Sequence, residues 1–184
     1  RAQARNLRDS NIEVLIGLRA DSSSCKKVEK DGLKYADIDT TICSCDILAL
    51  MIPDNQIDNF IIKNLKKLRK NQTILLSHGY SIVYGKAEIP SYINVIMVAP
   101  SGGGKVVRSE YEKGFGVPAL VAVNNDYSGN MLETALAYAK AIGSSRAAVF
   151  TSTFKEETET DLFGEQVILT GSIPMIIIES YKVL

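Results

Sequence analysis

The 184-residue sequence has no tryptophan, one histidine, three cysteines and no surplus of charge of either sign. Its 21 basic residues balance its 21 acidic residues, so its charge predicts neither a nucleic-acid partner nor an anionic membrane surface. Cys25, Cys43 and Cys45 form no C-x-x-C pair, which favours free thiols in a reducing compartment, and we expect a cytoplasmic protein. No uninterrupted apolar run reaches the roughly 18 residues of a membrane-spanning helix, and no signal peptide is recognisable, so no membrane partner is expected.

Short apolar runs alternate with helical patterns through most of the chain. The runs that predict buried strands span residues 12–18, 46–52, 72–77, 93–99 and 147–150, with a further strand ending at Val123. The helical patterns span residues 1–9, 26–30, 55–69 and 130–142, whereas residues 34–41 are ambiguous. This alternation predicts an α/β fold with a doubly wound, Rossmann-type parallel sheet. Because the chain opens on a helix that precedes a strand, we expect the first strand and the glycine-rich phosphate loop of such a fold to be missing.

From about residue 153 the pattern changes to helix alone. Proline in the middle of a helix destabilises it by about 3 kcal/mol or more, so Pro174 predicts the first turn of a second helix. The four apolar residues 175–178 predict that this second helix is buried. Residues 1–152 and 153–184 are therefore expected to belong to two domains.

Carboxylates are concentrated in residues 154–166, where Glu157, Asp161 and Glu165 are spaced four apart. On a helix this spacing places the three side chains on one face, where like charges destabilise the helix by about a few tenths of a kcal/mol per pair. A hard divalent cation reverses that effect, because Mg²⁺ prefers oxygen ligands. The spacing leaves open the alternative that acidic residues simply favour the first turn of a helix, where the dipole is positive.

The segment Phe-Lys-Glu-Glu-Thr-Glu-Thr-Asp-Leu-Phe-Gly-Glu-Gln at residues 154–166 resembles the metal-site segment of the ketol-acid reductoisomerases of the short-chain class I type. The resemblance runs from Arg1 to Leu184 and implies a chain truncated at both ends. It implies an enzyme that uses NADPH and two Mg²⁺ ions. The implied reaction converts 2-acetolactate or 2-aceto-2-hydroxybutyrate, by alkyl migration and reduction, to a 2,3-dihydroxy acid in branched-chain amino-acid biosynthesis. Residues 1–152 would be the NADP-binding domain, and residues 153–184 the beginning of an all-helical knotted domain.

The same resemblance makes Asp161 and Glu165 the metal ligands and Glu157 a catalytic carboxylate beside them. His78, the only histidine, follows a predicted strand. A lone histidine there is more often a loop residue, but ligands of open parallel sheets gather at the carboxyl ends of strands. The segment Ser-His-Gly-Tyr at residues 77–80 resembles the catalytic His-Gly-Phe/Tyr segment of the family, which implies a catalytic His78.

Arg19, Ser22 and Ser24 are the candidates for binding the 2′-phosphate of NADPH. An arginine at the end of the second strand suits a 2′-phosphate, whereas NAD-type sites usually carry an acidic residue there. The loop resembles the reductoisomerase loop in which an arginine and two serines hold this phosphate, although Asp21 departs from it in charge. The alternative is a polar turn in which Ser24 caps the following helix.

Two further loops resemble cofactor-binding segments of the family. Residues 53–56, Pro-Asp-Asn-Gln, resemble the loop that packs on the adenosine half of the cofactor, which implies a contact from Asp54. Residues 99–104 resemble a second loop of this kind, in which Gly104 would line the cofactor. Both loops follow predicted strands, where cofactors bind in open sheets.

The second of these loops departs from the family pattern. Ser101 stands where the family has a lysine that reaches the metal-bound oxygens, and Lys105 lies four residues further on. The sequence Gly-Gly-Gly-Lys is not a P-loop, because Val106 follows the lysine where a serine or threonine is required.

The resemblance implies a small 2-hydroxy-keto acid as substrate and a homo-oligomer, because metal carboxylates of the family can come from a partner subunit. Two other interpretations remain open. One is a dehydrogenase of the hydroxyacid or 6-phosphogluconate type, which shares the fold and uses a catalytic lysine without a metal. The other is a non-catalytic nucleotide-binding fragment, favoured by Ser101 and by the missing segments.

Overall fold

Strands and helices alternate along the chain in the computed structural model, which describes all 184 residues. The strands are β1 (Leu15–Leu18), β2 (Lys34–Asp37), β3 (Ile47–Ala49), β4 (Thr73–Leu76), β5 (Asn94–Pro100), β6 (Ala119–Asn125) and β7 (Val149–Thr151). The α-helices are α1 (Ala2–Asp9), α2 (Cys25–Lys30), α3 (Ile38–Ser44), α4 (Asp54–Asn64), α5 (Tyr80–Val83), α6 (Gly104–Glu112), α7 (Met131–Ala141), α8 (Phe154–Leu162) and α9 (Ile173–Val183). A π-helical segment, Phe163–Ser172, joins α8 to α9.

Two sheets carry the predicted α/β alternation. β1 and β2 form a parallel pair, and the other five strands form one sheet in the order β3-β4-β5-β6-β7. Neighbours in this sheet are parallel except β5 and β6, whose connection leaves and re-enters the sheet at one end, where Pro100 pairs with Ala119. The predicted Rossmann-type class is confirmed, and the antiparallel β6 is a departure from a purely parallel sheet.

The strand predicted over residues 12–18 is shorter and more exposed than expected. β1 covers only Leu15–Leu18, its residues are half-buried or exposed, and the side chain of Ile12 is 48% exposed. The physical reason is that β1 pairs with β2 on one side only, and β1 and β3 do not pair with each other. The prediction of a strand buried on both faces is therefore wrong for this segment.

Apolar side chains cover both faces of the five-stranded sheet. Successive residues of β4 and β5 point to opposite faces, so one cluster takes Ile74, Leu76, Val95 and Met97, and the other takes Leu75, Ile96 and Val98. Helix α4 adds Ile57 and Ile61 to the first cluster, and α1 and α7 add Leu7 and Ala135 to the second. Each fully buried aliphatic side chain stabilises the fold by about 1.5–3 kcal/mol, so these two central strands anchor the domain.

Helices α1, α2, α4 and α7 lie close to their predicted positions, whereas α5 and α6 were not predicted. α7 ends where Gly143 adopts φ 95°, and an added Cβ there would lie 2.7 Å from the ring of Tyr111, so glycine is required for both conformation and space. The ambiguous residues 34–41 form β2 followed by α3, which begins where the Asp37 carboxylate accepts from the backbone N–H of Thr40. α4 ends at Asn64 rather than at residue 69, and a short 3₁₀ turn follows it.

The C-terminal residues are helical, as predicted, and Pro174 lies in the first turn of α9. The prediction that residues 175–178 are buried is wrong. Met175 is 54% exposed and Ile176 is 64% exposed, because α9 makes its main contacts with the π segment that precedes it.

The helical stretch Phe154–Val183 is long and apolar enough to cross a membrane, as judged by length and composition alone. Polar residues interrupt this stretch, so no uninterrupted apolar run marks it in the sequence. The expectation of no membrane partner stays a prediction.

Asn6 was not predicted as a core residue, yet it is fully buried. Its side-chain amide donates to the carbonyls of Ile142 at 2.9 Å and Val107 at 3.3 Å, and its Oδ1 accepts from Arg108 at 2.9 Å. One amide therefore joins α1 to α6 and to the end of α7.

We expect Asn6→Leu to destabilise the fold by about 1–3 kcal/mol, because it leaves two buried carbonyls without their donor and removes one of the acceptors of Arg108. The measurement is urea denaturation, with Asn55→Leu on the exposed start of α4 as the matched control, expected to stay within about 0.5 kcal/mol. Equal effects of the two variants would show that the buried amide has no special part in joining the helices.

Candidate functional site

The site begins where β4 ends. After β4 the chain passes through Ser77 to His78 and Gly79, and Gly79 precedes the short helix α5, against which α8 packs. Nδ1 of His78 lies 3.0 Å from Oε1 of Glu157, and the backbone N–H of Gly79 donates to Oε2 of the same carboxylate at 2.8 Å. One glutamate therefore ties α8 to the histidine turn through both of its oxygens.

Asp161 lies one helical turn beyond Glu157 and faces the same ring nitrogen, with Oδ2 3.3 Å from Nδ1 of His78. The side chain of Glu157 is 4% exposed, that of His78 17% and that of Asp161 43%. Exposure therefore increases across the cluster, from the buried carboxylate of Glu157 to that of Asp161, which solvent or a ligand can reach. The ligand atoms of the three residues lie within 4.8 Å of one another.

The electrostatics of the cluster are dominated by carboxylates. The hydrogen bond to Glu157 raises the pKa of His78, and the charges of Asp161 and Asp54 raise it further. Burial raises the pKa of Asp161, and the nearby carboxylate of Glu165 acts in the same direction. Negative charge is thus concentrated around one imidazole.

Glu165 does not join this cluster. Glu157 and Asp161 share a face of α8, but Glu165 lies in the π segment, where the turn is wider than in an α-helix. The predicted placement of all three carboxylates on one face therefore stays a prediction for Glu165. Glu165 remains close enough to Asp161 to raise the pKa of that carboxyl.

The donor chemistry fits a hard divalent cation. Asp161 is partly exposed, has a second carboxylate beside it in Glu165 and carries a raised pKa, which a cation with oxygen preference would reverse. The buried Glu157 already uses both oxygens on His78 and Gly79, so it is suited to holding the histidine rather than the metal.

Arg19 follows β1 and lines a small cavity of about 100 Å³ at the carboxyl ends of β1 and β2. The other lining residues are Leu18, Ala20, Cys25, Tyr35, Ala36 and Asp37. Ser22 and Ser24 belong to the adjoining loop, where the Ser24 N–H donates to Oγ of Ser22 at 3.3 Å. Ser24 precedes α2 but its side chain makes no capping bond, so the capping alternative is not what the loop shows.

The other two cofactor candidates lie at different helix starts. Asp54 begins α4, and its charge acts on both His78 and Asp161, which places it near the carboxylate cluster. Gly104 begins α6, and a Cβ added to it would lie 3.6 Å from the side chain of Ala2 at the start of α1. The starts of α1 and α6 therefore lie together at this end of the sheet.

Ser101 and Lys105 flank the glycines of this loop, and both are exposed. Neither side chain makes a hydrogen bond or an ion pair, whereas the backbone N–H of Ser101 donates to the carbonyl of Pro118 at 2.8 Å. The structure does not bring Lys105 into the cluster formed by His78, Glu157 and Asp161.

Gly79 is the site residue that the sequence did not identify. A Cβ added there would lie 2.4 Å from Oγ1 of Thr158 and 2.5 Å from the carbonyl oxygen of Phe154. The glycine therefore allows α8 to approach the histidine turn closely enough for Glu157 to reach it. A glycine directly after a candidate catalytic residue was the available signal.

The fold and the site define a class: a nucleotide-binding domain of Rossmann type, followed by helices that bring carboxylates to its edge. Residues 1–148 match the model of the acetohydroxy acid isomeroreductase NADPH-binding domain, and residues 154–184 match that of the ketol-acid reductoisomerase C-terminal domain. The chain belongs to the ketol-acid reductoisomerase family. The two matched ranges lie on either side of the predicted domain boundary at residues 152 and 153, which stays a prediction.

The relatives are similar over the whole of this chain. Ketol-acid reductoisomerases (NADP(+)) of Pyrococcus abyssi and Methanothermobacter thermautotrophicus are 47% and 46% identical to it over 184 residues. A solved NADH-preferring ketol-acid reductoisomerase from an uncultured archaeon superposes with a TM-score of 0.91 at 35% identity, covering 100% of this chain and 57% of that one. The chain spans 55–56% of the length of the two curated relatives.

We expect Gly79→Ala to destabilise the fold by about 1–3 kcal/mol, because overpacking forces α8 away from the turn. Gly103→Ala is the matched control, since nothing lies within 4 Å of its added Cβ and its φ of −62° suits alanine. Thermal unfolding of both variants makes the comparison. If Gly79→Ala were as stable as Gly103→Ala, the close packing of α8 against the turn would be refuted.

Proposed function

We propose that this chain supplies the NADPH-binding region and part of the metal site of a ketol-acid reductoisomerase. The observation that carries the proposal is the contact of Glu157 with both His78 and Gly79, beside the partly exposed Asp161, in a chain of this family. The proposed substrates are 2-acetolactate and 2-aceto-2-hydroxybutyrate, and the products are 2,3-dihydroxy acids. Family membership favours this function over that of a hydroxyacid dehydrogenase.

Asp161 and Glu165 are the proposed ligands of two Mg²⁺ ions. When bound, such ions polarise the substrate carbonyl and lower the pKa of its hydroxyl, which is what an alkyl migration requires. The carboxylates suit this role because burial and mutual repulsion raise the pKa of Asp161, and a bound cation relieves both. Glu165 follows in the π segment, close enough for its charge to raise the pKa of Asp161.

His78 is the proposed proton-handling residue, and Glu157 orients it. Because Nδ1 of His78 faces Glu157 and Asp161, Nε2 is the ring nitrogen left for a substrate. The carboxylate of Glu157 favours a proton on Nδ1, which leaves the lone pair of the neutral ring on Nε2. The short contact therefore selects one tautomer and one ring orientation.

NADPH is the proposed cofactor, with Arg19 as the main contact to its 2′-phosphate. The guanidinium lies at the carboxyl end of β1, where nucleotides bind in open α/β sheets, and it lines a cavity there. Ser22 and Ser24 supply hydroxyl groups from the same loop. Asp54 and Gly104 are the proposed contacts at the starts of α4 and α6.

The exposed apolar residues of α9 support the proposal that more protein covers this helix in the working enzyme. Ile176 and Ile177 are each 64% exposed, and this segment matches the start of the family's C-terminal domain. We therefore assign the apolar stretch to a helical domain rather than to a membrane, and we propose a homo-oligomer located in the cytoplasm.

A second candidate function, nucleotide binding without catalysis, is favoured by one observation. Ser101 carries no charge, and Lys105 is exposed and unpaired outside the carboxylate cluster. NADPH binding without turnover in the experiments below would support this second function.

We expect Asp161→Asn to lower Mg²⁺-dependent turnover by about 100-fold or more while NADPH affinity stays within about twofold, because it removes an anionic metal ligand. The assay follows NADPH consumption with 2-acetolactate, in a fusion in which the Pyrococcus abyssi relative supplies the parts that this chain does not cover. Glu159→Gln, an exposed carboxylate on the same helix, is the matched control and should leave turnover unchanged.

The 184-residue chain alone should show no turnover, because it holds too few carboxylates outside the histidine contact for two ions. Substantial turnover by the Asp161→Asn fusion would exclude Asp161 as a ligand. Turnover by the short chain would show that its own residues complete the metal site.

We expect Arg19→Ala to weaken NADPH binding by about 10- to 150-fold and to leave NADH binding nearly unchanged, since a charge-assisted contact contributes about 1.5–3 kcal/mol. Titration of both cofactors into the same fusion makes the comparison. Lys34→Ala, which removes only an exposed ion pair with Glu13, is the control. Equal affinity of the unmutated fusion for the two cofactors would contradict the assignment.

A further inference from the structure

A chain of hydrogen bonds passes through the side chain of Gln3, in the first turn of α1. Its Oε1 accepts from the hydroxyl of Tyr138 on α7 at 2.8 Å, and its Nε2 donates to Oγ of Ser77 at 3.2 Å. The hydroxyl of Ser77 then donates to Sδ of Met51, just beyond β3, at 3.2 Å. Three segments that are far apart in sequence thus meet at the Gln3 amide, and Ser77 extends the hydrogen bonds to a fourth.

The hydroxyl of Tyr138 determines which group donates and which accepts in each of these hydrogen bonds. Tyr138 is 8% exposed, and burial raises the pKa of its hydroxyl, so the group stays protonated and donates. Gln3 must then turn its oxygen towards Tyr138 and its NH₂ towards Ser77. Ser77 accepts from Gln3 and is left with its own proton for the sulfur of Met51.

The location of Ser77 connects these hydrogen bonds to the candidate site. Ser77 is the single residue between the end of β4 and His78. The histidine turn is therefore held at two points: Glu157 holds it from α8 on the downstream side, and Gln3 holds it from α1 on the upstream side.

We propose that Gln3 is a positioning residue for the catalytic turn, acting through Ser77. It sets the place of His78 and Gly79 relative to α1, the helix whose start faces the start of α6 and the cofactor loop. The catalytic meaning of this role rests on the proposed function. The positioning itself is a property of this chain and is measurable without substrate.

The experiment measures amide hydrogen exchange at Gly79 by NMR in the 184-residue chain, with the amide of Met97 in the centre of the sheet as the reporter of global stability. Gln3→Leu removes both hydrogen bonds at similar volume and should speed exchange at Gly79 at least tenfold relative to Met97. Ser77→Ala should have a similar effect. If Gln3 acts through Ser77, the double variant should exceed the larger single effect by no more than twofold.

Tyr92→Phe is the control, because it removes an exposed hydroxyl that takes no part in these hydrogen bonds. It should leave the exchange rates of the Gly79 and Met97 amides unchanged. Tyr138→Phe removes only the first donor, provides a milder test if Gln3→Leu unfolds the chain, and should speed exchange at Gly79 by a smaller factor. Parallel changes at Gly79 and Met97 would mean that Gln3 only stabilises the fold. If the two single-variant increases in the Gly79 exchange rate multiplied in the double variant, Gln3 would act independently of Ser77. Either this result or the parallel changes at Gly79 and Met97 would overturn the proposal.

The same variants, made in the fusion protein, test whether Gln3 affects catalysis. Gln3→Leu should lower kcat about tenfold while KM for NADPH changes less than twofold, because positioning acts on the reacting groups rather than on cofactor affinity. If the exchange result holds and the fusion shows no reductoisomerase activity, the positioning role stands and the proposed function fails. Unchanged kcat in an active fusion would remove the link to catalysis.

Discussion

The contact between Glu157 and the turn that follows β4 is the interaction on which the rest of this site depends. Its two oxygens take the ring nitrogen of His78 and the backbone N–H of Gly79, and the carboxylate is almost fully buried. Removing one partner of a buried charge leaves the other uncompensated, which destabilises a protein by several times more than an exposed pair contributes. The contact therefore anchors α8, and with it the start of the helical region, to the nucleotide-binding fold.

The same contact explains why the site is electrically unbalanced. Both oxygens of Glu157 are hydrogen-bonded, but Asp161, Glu165 and Asp54 add further negative charge around a single imidazole. A protein keeps such an arrangement at a cost to its stability, and pKa values shifted by neighbouring charges are typical of sites that bind or react. Gly79 permits this arrangement, since a side chain at its position would push α8 away from the turn that contains His78.

Much of the architecture could be predicted from local pattern. Apolar runs predicted β4 and β5 because both faces of these strands are covered, and Pro174 predicted the start of α9 because proline is tolerated only in a first turn. The exceptions share a cause. Residues 12–18 and 175–178 are apolar enough to be buried, but burial depends on which elements lie beside them, and β1 and α9 are each covered on one side at most. The antiparallel pairing of β6 likewise depends on where its connection re-enters the sheet.

The sequence by itself determined the candidate chemistry: the only histidine follows a strand, and two carboxylates lie one turn apart on a helix. Both are features of neighbouring residues, where periodicity and strand ends carry the information. Only the tertiary structure decided that Glu157 holds His78 across 79 positions of chain and that Gln3 reaches Ser77. These contacts depend on how helices from different parts of the chain pack together, which is not encoded in the spacing of residues along one element.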